Sequence, residues 1–162
     1  MNLLDKMDFA ILAALQADGA LSMSALSERV GLSATPCWKR VKRLEEEGYI
    51  EKRVALVNRH KVGLPVTVFV SVRTSHHDQK WLAKFAAAVV DLPEVQEFHR
   101  MSGDVDYLLK VVTTDIDGYD RFYKKLIAST AHLTGVSSAF SMEQIKYSTA
   151  LPLELIARDM PA

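Results

Sequence analysis

Apolar residues recur at helical spacing through the first fifty positions of the chain. Three times an apolar residue precedes a capping residue, and a second apolar residue follows at the position that packs on it. The capping residues are Asp5, Ser22 and Ser33. Glycines at positions 19, 31 and 48 follow the three periodic segments. The pattern therefore predicts three helices of about 13, 8 and 14 residues, joined by short turns.

The third of these helices has a clear apolar face. Cys37, Val41 and Leu44 recur at helical spacing and are expected to face a small three-helix core. Ser33 suits the N-cap, where its hydroxyl would accept a first-turn N–H, and Gly48 suits the left-handed C′ position. Only three residues separate this helix from the second one, which is the turn length of a helix-turn-helix.

The hydrophobic period changes in the second half of the chain. Valines at 66, 68, 70 and 72 alternate with other residues, which predicts a β-strand. The further predicted elements are a helix over 78–90, strands over 94–101 and 105–114, a helix over 116–129 and a strand over 136–148. The order β-α-β-β-α-β predicts a ferredoxin-like antiparallel sheet with both helices on one face. We expect the other face to be largely apolar and to be covered by a second copy of the chain.

Turn-forming residues place the boundary between these two parts. Residues 49–57 are predicted to form a strand or wing, and residues 58–65, which contain Gly63 and end at Pro65, to form a linker. The predicted organisation is a helical domain over 1–57, a linker over 58–65, a sheet domain over 66–150 and a tail over 151–162. The fold class is therefore α+β.

Composition narrows the possible partners and compartments. The chain has 162 residues and 49% hydrophobic positions, enough for burial without disulfides, and its 20 basic and 20 acidic residues leave no net charge. Its single cysteine, Cys37, excludes an intrachain disulfide framework. No leader pattern begins the sequence, and the early apolar run from Phe9 to Leu15 is too short for a bilayer. We expect a cytoplasmic protein with no membrane role.

Positive charge is nevertheless concentrated in one place. Between Arg29 and Arg43 there are five basic residues and no acidic one, and four of the five, Lys39, Arg40, Lys42 and Arg43, fall in the third helix. There the cations precede three glutamates, the reverse of the order that the helix dipole favours. Phosphate outside the helix would explain that order. An ordinary solvated face explains it equally well from the helix alone.

Gly103-Asp104-Val105-Asp106 is the most chemically suggestive stretch of the second half. The glycine exposes backbone N–H groups and the carboxylates suit an ammonium group, so the stretch could hold an amino acid. A plain hairpin turn is the simpler interpretation. The five histidines are scattered, and no catalytic, metal-binding or phosphate-loop motif is present. The sequence predicts neither an enzyme nor a cofactor.

Several motifs taken together resemble one family across essentially the whole chain, the Lrp/AsnC feast/famine transcriptional regulators. The motifs occur in the family's order and spacing. They are Leu4-Asp5-x-x-Asp8 with Ile11-Leu12, Asp18-Gly19, Leu26-Ser27-Glu28-Arg29-Val30-Gly31-Leu32-Ser33, Arg40-Val41-Lys42-Arg43-Leu44-Glu45-x-x-Gly48-x-Ile50, and Gly103-Asp104-x-Asp106-Tyr107.

The resemblance implies an N-terminal winged helix-turn-helix that binds double-stranded DNA and a C-terminal ferredoxin-like domain, called RAM, that dimerises. Members assemble further, often into octamers, and bind amino acids or related metabolites between RAM domains. The implied DNA-binding residues are Ser33, Ala34, Thr35, Trp38, Lys39, Arg40, Lys42, Arg43, Lys52 and Arg53. The implied effector-binding residues are Met101, Ser102, Gly103, Asp104, Val105, Asp106 and Ser138. The rival interpretation is a metabolic enzyme of the dimeric ferredoxin-like class, against which the cations of the third helix argue.

Overall fold

The computed structural model describes residues 4–157, which form two compact units. The first unit contains the described residues up to Leu56 together with those from Lys146 onward, and the second unit runs from Val57 to Ile145. Two covalent connections therefore join the units. Among residues 4–157, no helix is long and apolar enough to cross a bilayer.

Three helices form the first unit, as the periodicity predicted: α1 (Lys6–Ala17), α2 (Met23–Val30) and α3 (Ala34–Glu46). Asp5 caps α1 through a reciprocal box in which Asp8 N donates to Asp5 Oδ1 at 2.9 Å and Asp5 N donates to Asp8 Oδ2 at 3.0 Å. Ser22 Oγ accepts from Ala25 N and caps α2. The buried core of the unit comprises Ile11, Leu12, Ala14, Leu26, Cys37, Val41 and Leu44.

The ends of α3 confirm one predicted cap and correct another. Gly48 follows the C-cap with φ +77°, the left-handed conformation that glycine adopts without strain. Ser33 has N-cap backbone angles, but its hydroxyl makes no capping hydrogen bond. The predicted hydroxyl-to-backbone bond is therefore wrong, although the cap position is correct.

The segment that follows α3 has no regular secondary structure over residues 51–58. Of the two predicted alternatives, a strand or a wing, the strand does not form, because a strand needs a neighbour to pair with. Within the part of the chain that the structure describes, no ladder pairs with these residues. Val54, Leu56 and Val57 are left mostly exposed.

The second unit is a four-stranded antiparallel sheet with two helices. Its strand order is β2-β3-β1-β4, with β1 at the centre paired to both β3 and β4. This is the predicted ferredoxin-like topology. The elements are β1 (Val66–Thr74), α4 (Gln79–Val90), β2 (Val95–Arg100), β3 (Tyr107–Thr113), α5 (Ile116–Ser129) and β4 (Leu133–Phe140). The last predicted strand, over residues 136–148, is confirmed as far as Phe140, where β4 ends, and its continuation over residues 141–148 is wrong.

One face of the sheet carries the core of this unit. Val68, Val70 and Val72 are buried there against the aromatic and aliphatic side chains of α4 and α5. The alternating valines thus belong to the covered face. The open face is less apolar than predicted, since exposed Phe69 stands opposite the partly buried Lys110.

The segment after residue 145 belongs to the first unit. The Gln16 side chain of α1 exchanges two hydrogen bonds with the backbone of Leu151, donating to its carbonyl at 3.2 Å and accepting from its N–H at 2.7 Å. Leu153 packs against the three-helix core, and a single helical turn, α6 (Glu154–Ala157), follows. The rest of the predicted tail, residues 158–162, lies outside the described residues.

Candidate DNA interface and effector loop

The start of α3 is an exposed helix N-terminus. Ser33, Ala34 and Thr35 are all exposed, and Pro36 contributes no N–H. The first-turn N–H groups of a helix have no partner within it and carry partial positive charge, so they suit an anionic phosphate. The uncapped Ser33 hydroxyl adds a further exposed hydrogen-bonding group.

The outward face of α3 continues with an aromatic side chain and two lysines. Trp38 is 49% exposed, and Lys42 Nζ lies 5.3 Å from the centroid of its indole ring. Lys42 also pairs loosely with Glu46 at 3.5 Å. Lys39 is exposed and has no ion-pair partner among the described residues. This face combines positive charge with a flat apolar surface.

The two arginines of α3 have a different environment, because both contact acidic residues at the start of α1. Arg40 NH1 lies 2.7 Å from Asp5 Oδ2 and 2.8 Å from Asp8 Oδ1. Arg43 NH2 lies 2.6 Å from Asp8 Oδ2. The Asp8 side chain is only 1% exposed. Two of the four predicted DNA-contacting cations therefore join α3 to α1.

The pKa values of Asp8, Arg40 and Arg43 are shifted in the directions that favour their charged forms. Burial alone would raise the pKa of the Asp8 carboxyl, but the hydrogen bonds from Arg43, from the Asp5 backbone and from Arg40 hold that pKa below its ordinary value. Hydrogen bonds to Asp5 and Asp8 raise the pKa of Arg40, and the hydrogen bond to Asp8 raises that of Arg43. The Asp8 carboxylate and both guanidinium groups are therefore charged at neutral pH.

The two cations predicted beyond α3 are both exposed. Arg53 NH2 pairs with Glu45 Oε1 at 2.9 Å, whereas Lys52 has no ion-pair partner in the described part of the chain. Lys39, Lys42 and Lys52 are thus more available to an outside anion than the three arginines.

In the second unit, the loop between β2 and β3 is held against the end of β1 by Asp106. The Asp106 N–H donates to the Val72 carbonyl at 3.1 Å, and its Oδ2 accepts from the Thr74 N–H at 2.8 Å. The Met101 N–H closes the loop by donating to the Asp106 carbonyl at 2.8 Å. Asp106 Oδ1 lies 3.8 Å from His77 Nδ1. One of the two predicted carboxylates is therefore already engaged.

The tip of this loop remains open. Met101, Ser102, Gly103 and Asp104 are exposed and Val105 is partly buried. Gly103 has φ +106°, a conformation that other residues rarely adopt. The Asp104 carboxylate has no hydrogen-bond or ion-pair partner among residues 4–157. It is therefore available to a cationic group of a ligand.

Ser138 does not join the other predicted effector residues within one chain. Ser138 lies in β4, opposite Val70 of β1. Strand β1 separates β4 from β3, and β3 is the strand that borders the loop of residues 101–106. The Ser138 hydroxyl is hydrogen-bonded to the Tyr119 hydroxyl of α5. Burial raises the pKa of Tyr119. Within the described residues, no group of three or more His, Cys, Asp or Glu side chains is placed to hold a metal ion.

Sequence reasoning missed Asp5 and Asp8 as partners of the recognition helix. The capping signal of Asp5 was visible, but a cap does not reveal that the same carboxylates reach a helix more than thirty residues away. The missed signal was Asp8 itself, a charged residue at a position of α1 that the helical period turns toward the other helices.

A three-helix unit with an exposed basic helix, joined to a ferredoxin-like unit with an open glycine loop, defines a two-domain DNA-binding regulator with a ligand-binding domain. The family model for a winged helix-turn-helix DNA-binding domain matches residues 4–51, and that for the Lrp/AsnC ligand binding domain matches residues 67–151. The chain belongs to the Lrp/AsnC family.

Named relatives agree with this assignment. The DNA-binding transcriptional activator DecR of Escherichia coli K12 is 49% identical over 152 residues, which cover 94% of this chain and 100% of the relative. The crystal structure of an AsnC family transcriptional regulator from Agrobacterium tumefaciens is 54% identical, with a TM-score of 0.91 over 94% of this chain and 99% of that one. A transcriptional regulator from Neisseria meningitidis in complex with L-methionine is 35% identical, with a TM-score of 0.89 over 95% and 99%.

These findings confirm the predicted family and fold class. The chain is a DNA-binding transcriptional regulator with a ligand-binding domain rather than an enzyme, because its relatives are regulators. The rival interpretation as a metabolic enzyme is thereby set aside.

Proposed function

We propose that α3 enters the major groove of double-stranded DNA with the exposed face that begins at Ser33. On this proposal, Ser33, Ala34 and Thr35 meet a phosphate at the helix N-terminus, and Trp38, Lys39 and Lys42 contact base edges and backbone. Lys52 adds a phosphate contact. The observation that carries the proposal is the division of the cations, since Lys39 and Lys42 face outward while Arg40 and Arg43 bind Asp8.

Salt-dependent operator binding tests this interface. In the double variant Lys39→Ala/Lys42→Ala, we expect weaker binding and a slope of log K against log salt that is shallower by roughly 0.9 for each phosphate that is no longer neutralised. Lys124→Ala/Lys125→Ala, on α5, removes the same charge elsewhere and serves as the control. Equal affinity and slope in both variants would refute the assignment of this face.

We also propose that the loop of residues 101–106 binds the ammonium group of an amino acid through Asp104. Three observations support this: Asp104 is unpartnered among residues 4–157, the backbone around Gly103 is exposed, and the loop lies within the matched ligand-binding domain. The solved relative from Neisseria meningitidis holds L-methionine. An effector would regulate by binding one assembly or DNA-bound state better than another.

A thermal-shift panel of the L-amino acids, including L-methionine, tests the effector. A ligand that binds only the folded protein must raise its melting temperature. We expect Asp104→Asn to abolish that shift and Asp91→Asn, at the exposed end of α4, to retain it. If no amino acid shifts the wild-type chain, the effector proposal fails while the DNA proposal stands.

For assembly, we propose that a second copy covers the open sheet face around Phe69 and that dimers associate further, up to an octamer, in the cytoplasm. An exposed aromatic on an uncovered sheet supports such a contact. Light scattering of Phe69→Asp should show a smaller assembly than the wild type. An unchanged mass would exclude this face.

A further inference from the structure

A concave surface lies in the sheet unit, and it shares no residue with the loop of residues 101–106. It opens between the start of α4 and the segment that joins α5 to β4, and its volume is about 340 Å³. That volume falls in the range of small-molecule sites. The inner wall is aromatic, formed by the buried side chains of Trp81 and Phe85.

The rim of this cavity is predominantly basic. Lys80 and Lys84 stand one helical turn apart on α4 and both line it. The imidazoles of His76 and His132 stack at 3.9 Å between ring centroids and line the other side. Four nitrogen-bearing side chains thus surround an aromatic wall, an arrangement that favours an anion attached to an apolar body.

The carboxylate that lines this rim is already committed. Asp78 Oδ1 accepts from the Lys80 N–H at 3.0 Å and from the Trp81 N–H at 2.9 Å as the N-cap of α4. The hydrogen bond from Trp81 holds the pKa of Asp78 below its ordinary value. The basic side chains of the lining can therefore bind the carboxylate of a ligand. The carboxylate of Asp78 is occupied by the helix cap, whereas that of Asp104 in the loop of residues 101–106 has no partner among the described residues.

One further polar group lies in the cavity lining, although its oxygen is buried beneath the surface of the cavity. Thr130 lines it, and the Thr130 Oγ1 atom is buried without a hydrogen-bond partner among residues 4–157. Buried hydroxyls are almost always hydrogen-bonded, because leaving one unpaired costs free energy. The Trp81 indole is not free in this way, since its Nε1 donates to the Ala131 carbonyl at 2.8 Å.

We propose that this cavity is a second small-molecule site, which binds a small aromatic carboxylate lacking an ammonium group. The ring packs on Trp81 and Phe85, and the carboxylate lies between the lysines and the histidines. The chain then senses two chemically distinct ligands at separate places on one unit.

Fluorescence of the full-length chain reports directly on the cavity. The chain has two tryptophans, so Trp38→Phe leaves Trp81, in the cavity wall, as the sole tryptophan emitter. The probe is 3-phenylpropionate, compared with 3-phenylpropanol, which lacks the charge, and with L-phenylalanine, which adds the ammonium group. We expect saturable Trp81 quenching by the carboxylate, with a Kd about tenfold below those of both comparison compounds.

Variants locate the binding. Lys80→Gln/Lys84→Gln should raise the Kd about tenfold, while Lys124→Gln/Lys125→Gln, with the same charge change on α5, leaves it unchanged. Thr130→Val removes the buried, unpaired hydroxyl without loss of volume, so it should leave the Kd unchanged and the melting temperature equal or higher. Asp104→Asn should have no effect on this Kd.

Three results would overturn the proposal. The first is the lack of saturable quenching by 3-phenylpropionate up to about 10 mM, which corresponds to negligible affinity. The second is equal binding of 3-phenylpropanol, which would make the cavity merely apolar. The third is loss of binding in Asp104→Asn, which would assign the ligand to the loop of residues 101–106.

Discussion

Asp8 of α1 and Arg43 of α3 form an ion pair in which Oδ2 and NH2 lie 2.6 Å apart. The Asp8 carboxylate is almost completely buried. It also accepts a hydrogen bond from Arg40 and another from the Asp5 backbone N–H, which completes the capping box of α1. A single side chain thereby fixes α3, the helix proposed to enter the major groove, against α1. The arginines orient α3, and the lysines remain available to an outside partner.

Asp8→Asn should destabilise the three-helix unit. The substitution removes a buried charge that satisfies two guanidinium groups, and we expect a loss of about 2 kcal/mol in the free energy of unfolding. Chemical denaturation in a Trp81→Phe background, where Trp38 is the sole tryptophan emitter, measures it. Asp5→Asn keeps a capping side chain at a half-exposed site, so it should cost less than half as much. Equal costs would show that the buried position of Asp8 is unimportant.

The contribution of Asp8 should depend on pH in a defined direction. Because the folded pKa lies below the ordinary value of 3.8, the folded state favours the charged carboxylate. The stabilisation is therefore fully present above that value and is lost as the pH falls through the lower, folded pKa. The difference in unfolding free energy between the wild type and Asp8→Asn should be constant from pH 7 to about pH 5 and shrink below about pH 4. A difference that grew on acidification would contradict the assigned sign.

Local patterns determined most of the elements correctly. The helix over Ile116–Ser129 agrees with its prediction at both ends, because an apolar stripe and the preceding Asp115 specify it locally. Residues 51–57 and 141–148, which the sequence pattern placed in strands, are not in strands. Strand formation depends on a partner, and periodicity alone does not show whether one is within reach.

The candidate sites were less predictable for a related reason. The turn at Gly103 follows from local backbone chemistry, and sequence alone indicated it. The partners of Arg40 lie on another helix, and which of several neighbouring cations turns inward depends on tertiary packing. Ser138 likewise lies on the helix-covered side, where it meets Tyr119. Local patterns thus indicated candidate residues but could not separate those that build the fold from those left for a ligand.

Gly103→Ala should disturb the loop without creating a steric clash. No atom lies within 4 Å of a Cβ added there, so the whole penalty comes from the backbone angle of φ +106°. We expect a loss of about 1 kcal/mol in stability and weaker effector binding. Gly63→Ala carries the same kind of backbone penalty outside the loop, since Gly63 has φ +84° and no atom within 4 Å of an added Cβ, and it serves as the control in the same thermal-shift assay. Unchanged effector affinity in Gly103→Ala would show that the loop conformation does not matter for binding.

Leu153 should matter to the three-helix unit although it lies more than a hundred residues from α3. It packs on the core of that unit, and the paired hydrogen bonds between Gln16 and Leu151 hold the preceding backbone in place. Leu153→Ala should therefore lower the free energy of unfolding reported by Trp38 by about 1 to 2 kcal/mol, which is less than for a fully buried leucine because Leu153 is only partly buried.

Leu155→Ala provides the matched control, because that side chain is 62% exposed in the helical turn that follows Leu153. It should change the stability by less than about 0.5 kcal/mol. If both leucine variants behave like the wild type, the C-terminal segment does not stabilise the DNA-binding unit in solution. If only Leu153→Ala is destabilised, the stability of the three-helix unit depends on the segment around Leu153 as well as on the residues up to Leu56.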